Sequence, residues 1–183
     1  MIYDLPTSIS VCGEDIEIRT DFRDILNILL AFEDPELEDS EKQYVCLYAL
    51  YKDFSKITDK NVAEAYKAAI DFIDCGMRGE KTGVRTMDWE QDAPLIFPAI
   101  NKVAGYEVRA AEYLHWWTFT GMFMEIRTTV YATVLSLRNK KAKGRKLEKH
   151  EKEFWQANKS ICVIKDKLTQ EEKDEKAELL ALL

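Results

Sequence analysis

A run of large apolar residues at 113–126 (Y-L-H-W-W-T-F-T-G-M-F-M-E-I) constrains the fold more than any other part of this sequence. It holds two of the four tryptophans and one of the two histidines. A bilayer takes about 20 residues to span, so this run is too short to cross one. It is therefore either a buried core helix or an exposed apolar surface for another protein, and composition alone does not decide between the two.

The composition of the whole chain favours helices around that run. Its 183 residues are enough for one compact domain with its own core. The 7 glycines and 4 prolines are too few for the many tight turns of a sheet-rich fold, whereas alanine, leucine, glutamate and lysine are abundant. We expect a mainly α protein, with residues 1–183 forming a single helical domain that carries a small N-terminal β-hairpin.

The hairpin is expected at residues 8–19. Apolar and polar residues alternate with a period of two at 8–12 and again at 15–19, and Gly13-Glu14 between them can form the turn. A lone hairpin is only marginally stable, so its apolar side must lie on the helices.

Capping residues and helical spacing locate the helices. A helix from Arg109 to Arg127 should contain the apolar run. Pro94 is tolerated only in a first turn, so a helix capped by Asp88 could instead begin near Ala93, and Gly105 should end it. In the helix that Ser40 opens, the expected apolar stripe is Tyr44, Leu47, Tyr48 and Tyr51. The other expected helix starts are Asp21, Thr58 or Asp59, Tyr131, Glu148 and Thr169.

Charge is distributed unevenly along the chain. The net charge of -7 argues against a nucleic-acid-binding protein, yet residues 140–152 hold seven Lys and Arg against two Glu. We expect a basic loop at 139–147 that is either simply solvated or a landing site for an acidic partner. Residues 140–183 would form this loop and a C-terminal helical tail, which the sequence allows to be mobile. The leucines at its end could dock on the protein itself or in a groove of a partner.

No catalytic or metal-binding constellation emerges from the sequence. The four cysteines are far apart and never form C-x-x-C, so we expect no metal site but reduced thiols in a reducing cytoplasm. Glu112 and His115 would share a helix face, but no nucleophile motif accompanies them, and His115 is interpreted as a packing residue. The acidic residues near Asp88 and Asp92 are interpreted as caps and a solvated face. We therefore expect no enzyme activity and no cofactor.

The aromatic residues of the central run do not favour nucleic acid either. A base-stacking platform needs basic residues between the aromatics, and here the local charges are mixed. Trp116 and Trp117 point about 100° apart on a helix. We expect one to serve the core and the other to lie at its margin or on a partner.

Five motifs in a fixed order resemble the bacteriophage gene-product-fifteen family, from long-tailed phages and prophages of Gram-positive bacteria. With the N-terminal hairpin and helix before them, they extend over nearly the whole chain. The motifs are residues 91–96 (Q-D-A-P-L-I), 113–119 (Y-L-H-W-W-x-F), 125–126 (E-I), 137–141 (L-R-x-K-K) and 146–154 (K-L-x-K-x-E-K-x-F).

This resemblance implies a tail assembly chaperone that binds the phage tape measure protein, assists tail tube assembly and has no catalytic residues. The tail tube protein could be a further partner and a homo-oligomer is possible, whereas no nucleic acid and no membrane are expected. The chaperone would act in the bacterial host cytoplasm and be absent from the mature virion. One alternative is a minor structural tail protein retained in the virion; another is a nucleic-acid-binding or enzymatic phage protein. The candidate partner-binding residues are Trp116, Trp117, Phe119, Lys146, Lys149, Phe154, Trp155, Leu179 and Leu180.

Overall fold

The computed structural model of this protein describes residues 4–76, 84–172 and 174. Its strands and helices confirm the expected mainly α fold with an N-terminal hairpin. They are β1 (Ser8–Val11), β2 (Glu14–Glu17), α1 (Phe22–Phe32), α2 (Asp39–Leu50), α3 (Val62–Ile73), α4 (Trp89–Ala104), α5 (Trp116–Met124), α6 (Val130–Ala142), α7 (Lys149–Ala157) and α8 (Lys159–Cys162). Short 3₁₀ turns lie at Phe54–Lys56 and Val108–Ala110.

The hairpin turn lies one residue earlier than expected. Val11 pairs with Glu14, so the two turn residues are Cys12 and Gly13 rather than Gly13-Glu14. Their φ angles are 50° and 83°, the two positive values of a type I′ turn, whose twist matches that of the strands. Val11 and Ile16 are buried, and the hairpin packs against α3.

The first helix follows its sequence signals. The side chain of Asp21 accepts a hydrogen bond from the Arg23 backbone N–H, which confirms the expected N-cap. Phe22, Ile25 and Ile28 are the buried face, and Pro35 follows the end of the helix.

The second helix buries two residues of the predicted stripe, Leu47 and Tyr51, and leaves the other two exposed. It starts at a capping box between Glu38 and Glu41 rather than at Ser40. Leu47 and the neighbouring Cys46 are buried, but Tyr44 and Tyr48 are 55% and 58% exposed. The two tyrosine rings stack on each other with centroids 5.9 Å apart. Spacing alone misassigned them, because aromatic residues can cover one another outside the core.

Two further helix starts also differ from expectation. Asn61 caps α3, and its side chain oxygen accepts from the Thr58 backbone N–H at 2.7 Å, so neither Thr58 nor Asp59 is the cap. Asp88 does cap α4, which begins at Trp89 and contains both Pro94 and Pro98. Pro94 and Pro98 are both exposed, so the two rings lie on the solvent side of the helix. The alternative start near Ala93 is therefore wrong, whereas Gly105 ends the helix as expected, with a φ of 79°.

The predicted helix from Arg109 to Arg127 is interrupted. Residues 113–115 are extended and pair with residues 20–22: the Phe22 N–H donates to Leu114 O at 2.9 Å, and the Trp116 N–H donates to Thr20 O at 2.7 Å. The helix begins only at Trp116, because the His115 Nδ1 accepts from the Trp117 N–H and acts as the N-cap. Glu112 therefore does not share a helix face with His115.

Candidate functional site

Two adjacent tryptophans attach α5 to the end of α3. The Trp116 indole N–H donates to Ile73 O at 2.8 Å, and the Trp117 indole N–H donates to Phe72 O at 2.9 Å. Carbonyls in the last turn of a helix lack the usual donor four residues on, and each indole donates to one of them. Phe72 O also accepts from the Cys75 N–H at 3.0 Å. Phe119 completes the anchor, since its ring stacks on Phe22 at a centroid distance of 4.6 Å.

This anchor assigns two predicted partner residues to the protein interior. Trp116 is 3% exposed and Phe119 is 0% exposed, so both are packing residues in this structure. Trp117 is half-buried at the margin, as expected for one member of an adjacent pair on a helix.

The C-terminal end of α5 borders an open groove with α6. We call it the α5–α6 groove; its volume is about 540 Å³. Its apolar floor includes the half-buried Phe123, Ile126 and Leu135, and Met124 at its edge is 56% exposed. The complete lining is Phe123, Met124, Ile126, Tyr131, Ala132, Leu135, Ser136, Asn139, Lys140, Lys143 and Arg145.

One end of this groove is basic. The α6 helix continues to Ala142, so it takes up the first part of the loop expected at 139–147. It closes with Gly144 at a φ of 67° and with the Arg145 N–H donating to Lys140 O at 2.8 Å, a C-terminal cap of the Schellman type. Lys143 and Arg145 are exposed there. A hydrogen bond from the Lys140 ammonium lowers the pKa of Glu151, which keeps this neighbouring carboxylate ionised.

The remaining predicted partner residues lie beyond this basic end. Lys146 and Lys149 are exposed, and Phe154 and Trp155 are half-buried on α7. The Lys141 ammonium lies 4.1 Å from the centroid of the Trp155 ring, a cation–π contact that fixes α7 against α6. Leu179 and Leu180 lie outside the described residues.

A buried arginine positions α6. The Arg138 guanidinium makes two hydrogen bonds with the Asp92 carboxylate, at 2.6 and 2.9 Å. It also donates to the carbonyls of Thr86, Ile161 and Cys162, at 3.2, 2.7 and 3.0 Å. Asp92 is 1% exposed, so its interpretation as part of a solvated acidic face is wrong.

His115 is buried and held by hydrogen bonds on both sides of its ring. Both ring nitrogens of His115 are engaged, Nδ1 by the Trp117 N–H and Nε2 by Pro6 O at 3.0 Å, so the interpretation as a hydrogen-bonded packing residue fits. Within residues 4–76, 84–172 and 174, no group of three or more potential metal ligands comes together. Across the same ranges, none of the helices has the length and apolar character needed to cross a membrane.

Sequence reasoning missed the residues that line the α5–α6 groove. Met124 and Leu135 were visible only as members of apolar runs, and Lys143 and Arg145 only as part of a basic run. The α6 residues Tyr131, Leu135 and Asn139 follow each other at intervals of four, which does indicate one shared helix face. This spacing does not show which side of α6 stays open, because the buried side depends on the contact between Arg138 and Asp92, which is distant in sequence.

The sequence model of the family described as bacteriophage Gp15 protein matches residues 1–163. No curated protein and no solved structure matches this chain. The matched span includes all five ordered motifs and both partners of the buried ion pair, Asp92 and Arg138. The chain therefore belongs to the bacteriophage Gp15 protein family.

Proposed function

We propose that this phage protein is a tail assembly chaperone that holds the tape measure protein without catalysing a reaction. The observation that carries this proposal is the α5–α6 groove, which combines an apolar floor with a basic end. An amphipathic client helix could place its apolar stripe on Phe123, Met124 and Leu135 and its acidic residues near Lys143 and Arg145. Such contacts would cover client surface that otherwise aggregates.

The proposed contact surface keeps only some of the residues that the sequence indicated. Trp117, Phe154 and Trp155 are half-buried, and Lys146 and Lys149 are exposed, so these five remain candidates at the border of the contact surface. Rim charges of this kind contribute more to association rate and selectivity than to affinity. The chaperone would act in the host cytoplasm, bring tail tube subunits to the client and leave before the virion matures.

Co-expression with the tape measure protein of the same phage tests the proposal. We expect the client to become more soluble and to co-purify. Met124→Glu should abolish both effects, because a charge would have to be buried against the client helix. Val103→Glu is the matched control, since Val103 is an exposed apolar residue on α4 outside this groove. Equal client binding by the two variants would rule out the α5–α6 groove as the contact surface. If the unaltered chain does not make the client more soluble, the chaperone role is wrong.

Mass spectrometry of purified virions distinguishes the chaperone from a retained tail component. A chaperone that leaves should be absent from the particles although it is abundant in infected cells. Stoichiometric recovery with the virion would instead favour a minor structural tail protein.

A further inference from the structure

The chain that follows α8 crosses the protein as a strap without helix or strand, which we define as residues 163–169. It ends where the sequence predicts a helix start, because the Thr169 hydroxyl accepts from the Glu172 N–H at 3.2 Å and residues 170–172 are helical.

Side chains of the helical fold hold this strap. Gln91 donates to Val163 O and accepts from the Lys165 N–H. Among the described residues, no hydrogen bond between backbone groups joins residues 164–169 to another segment. A segment that is held by side chains in this way can detach while the helices beneath it stay folded.

A lysine of the strap lies among carboxylates of the fold. The Lys167 ammonium is 3.0 Å from Glu33 at the end of α1, 3.6 Å from Glu90 in the first turn of α4 and 3.9 Å from Asp88. The Lys167 side chain is only 20% exposed, so solvent ions screen these contacts less than they screen contacts on the open surface.

The next strap residue, Leu168, lines a hollow beside these carboxylates. The hollow has a volume of about 590 Å³, and its apolar wall includes the half-buried Leu30 and Leu37 at the end of α1 and after it. Asp34 and Glu36 also line it. The strap therefore presents a lysine to an acidic rim and a leucine to an apolar wall.

The charge of the rim selects for such a segment. Arg85 contacts Glu33 and Asp88, but the ion-pair partner of Glu90 within the described part of the chain is Lys167. A rim with an excess of carboxylates attracts a cationic side chain and disfavours an acidic one.

We propose that this hollow is a docking site for a protein segment in which a lysine is followed by a leucine, and that the strap occupies it until such a segment displaces it. The site is separate from the α5–α6 groove, whose end is basic and which is proposed to take the client helix. The seated pair Lys167-Leu168 defines the chemistry of the partner.

A peptide with the strap's own sequence tests the proposal on the full chain. Residues 166–172 (D-K-L-T-Q-E-E) contain the Lys-Leu pair but neither of the residues that Gln91 contacts. Gln91→Ala therefore loosens the strap without removing a contact of the peptide, and Gln156→Ala on the exposed side of α7 is its control. Two hydrogen bonds are together worth about a tenfold change in an equilibrium, so the peptide should bind Gln91→Ala about ten times more tightly than Gln156→Ala.

Nuclear magnetic resonance of the labelled protein locates the peptide. The amides of Leu30 and Leu37 should shift during the titration. A peptide of the same composition and charge, with Lys167→Leu and Leu168→Lys, should leave these amides unchanged. Equal binding of the two peptides, or shifts confined to the α5–α6 groove, would overturn the proposal.

A second pair of variants loosens the strap from its other end. Lys167→Met in the chain removes the ammonium from the carboxylates and should also increase the affinity for the peptide. Lys165→Met is the matched control, since Lys165 is an exposed lysine of the same strap. The spectrum outside the hollow should stay unchanged in both variants, which shows that they fold. If neither Gln91→Ala nor Lys167→Met binds the peptide more tightly than its control, the strap does not occupy a docking site and the proposal is wrong.

Discussion

Arg138 and Asp92 form a bidentate ion pair in the protein interior, with their side chains 4% and 1% exposed. The remaining guanidinium donors reach three backbone carbonyls, so one side chain joins α6 to the first turns of α4, to the segment before α4 and to the end of α8. A buried charge is tolerated only when it is paired and its hydrogen-bonding capacity is satisfied, and this geometry meets both conditions.

Removing the arginine should therefore destabilise the protein strongly. We expect Arg138→Met to lower the free energy of unfolding by about 3–5 kcal/mol, because it leaves the Asp92 carboxylate buried without its partner. Arg145→Met, which changes an exposed arginine, should stay within about 0.5 kcal/mol of the original chain. Urea unfolding followed by circular dichroism measures both.

A double variant separates the ion pair from the rest of the network. Arg138→Met with Asp92→Leu should recover part of the loss, since no unpaired charge remains. Recovery should be incomplete, because the carbonyls of Thr86, Ile161 and Cys162 still lose their donor. A double variant less stable than Arg138→Met alone would contradict this account.

The adjacent tryptophans should respond unequally to the same substitution. Trp116→Phe removes an indole donor from a buried site, and leaving Ile73 O without a partner should cost about 1–3 kcal/mol. Trp117→Phe should cost less, because Trp117 is half-buried and water can replace its bond to Phe72 O. Thermal unfolding of the two variants measures the difference, and equal losses would show that exposure does not separate the two bonds.

An acid-sensitive contact lies after α4. Hydrogen bonds from Arg109 are the main cause that lowers the pKa of Glu107 from 4.5 to about 2. Because the folded state has the lower pKa, the stability that this carboxylate contributes is present above pH 4.5 and is lost as the pH falls toward about 2. The Glu107→Gln variant should therefore lose less of its stability across that interval than the original chain does.

Thermal melts at several pH values between about 2 and 5 test the Glu107 contact. Arg109→Gln removes the same donors and should flatten the same part of the profile, and the double variant should add little. If the dependence of stability on pH is the same in the variants as in the original chain, Arg109 does not lower the pKa of the Glu107 carboxylate on folding.

The Gln91 side chain holds the chain that follows α8, since its Nε2 donates to Val163 O at 2.8 Å and its Oε1 accepts from the Lys165 N–H at 2.9 Å. Gln91→Ala removes the hydrogen bonds to residues 163 and 165. If the two bonds together contribute about 1.4 kcal/mol, the Lys165 amide should exchange with solvent about ten times faster in the variant. Gln156→Ala on the exposed side of α7 is the control. Hydrogen exchange read by nuclear magnetic resonance resolves the individual amide, and an unchanged Lys165 rate would mean that other contacts hold residues 163–165.

Local signals predicted part of the fold well. The caps at Asp21 and Asp88 and the helix end at Gly105 depend on a few neighbouring residues, and the structure confirms all three. The break before Trp116 could not be predicted in this way, because it results from backbone pairing with residues 20–22, more than 90 positions away. Tyr44 and Tyr48 show the same limit, since helical spacing does not reveal which apolar residues neighbouring helices will cover.

The sequence by itself determined the class of the protein: the ordered motifs and the scarcity of glycine and proline predicted the phage family and its helical fold. The tertiary structure decided what each motif residue does. It placed Trp116 and Phe119 in the core, buried Asp92 against Arg138, and left Met124 and Leu135 to form an open groove. Burial depends on contacts between distant parts of the chain, so a residue pattern that is local in sequence cannot fix which side of a helix meets the core and which meets a partner.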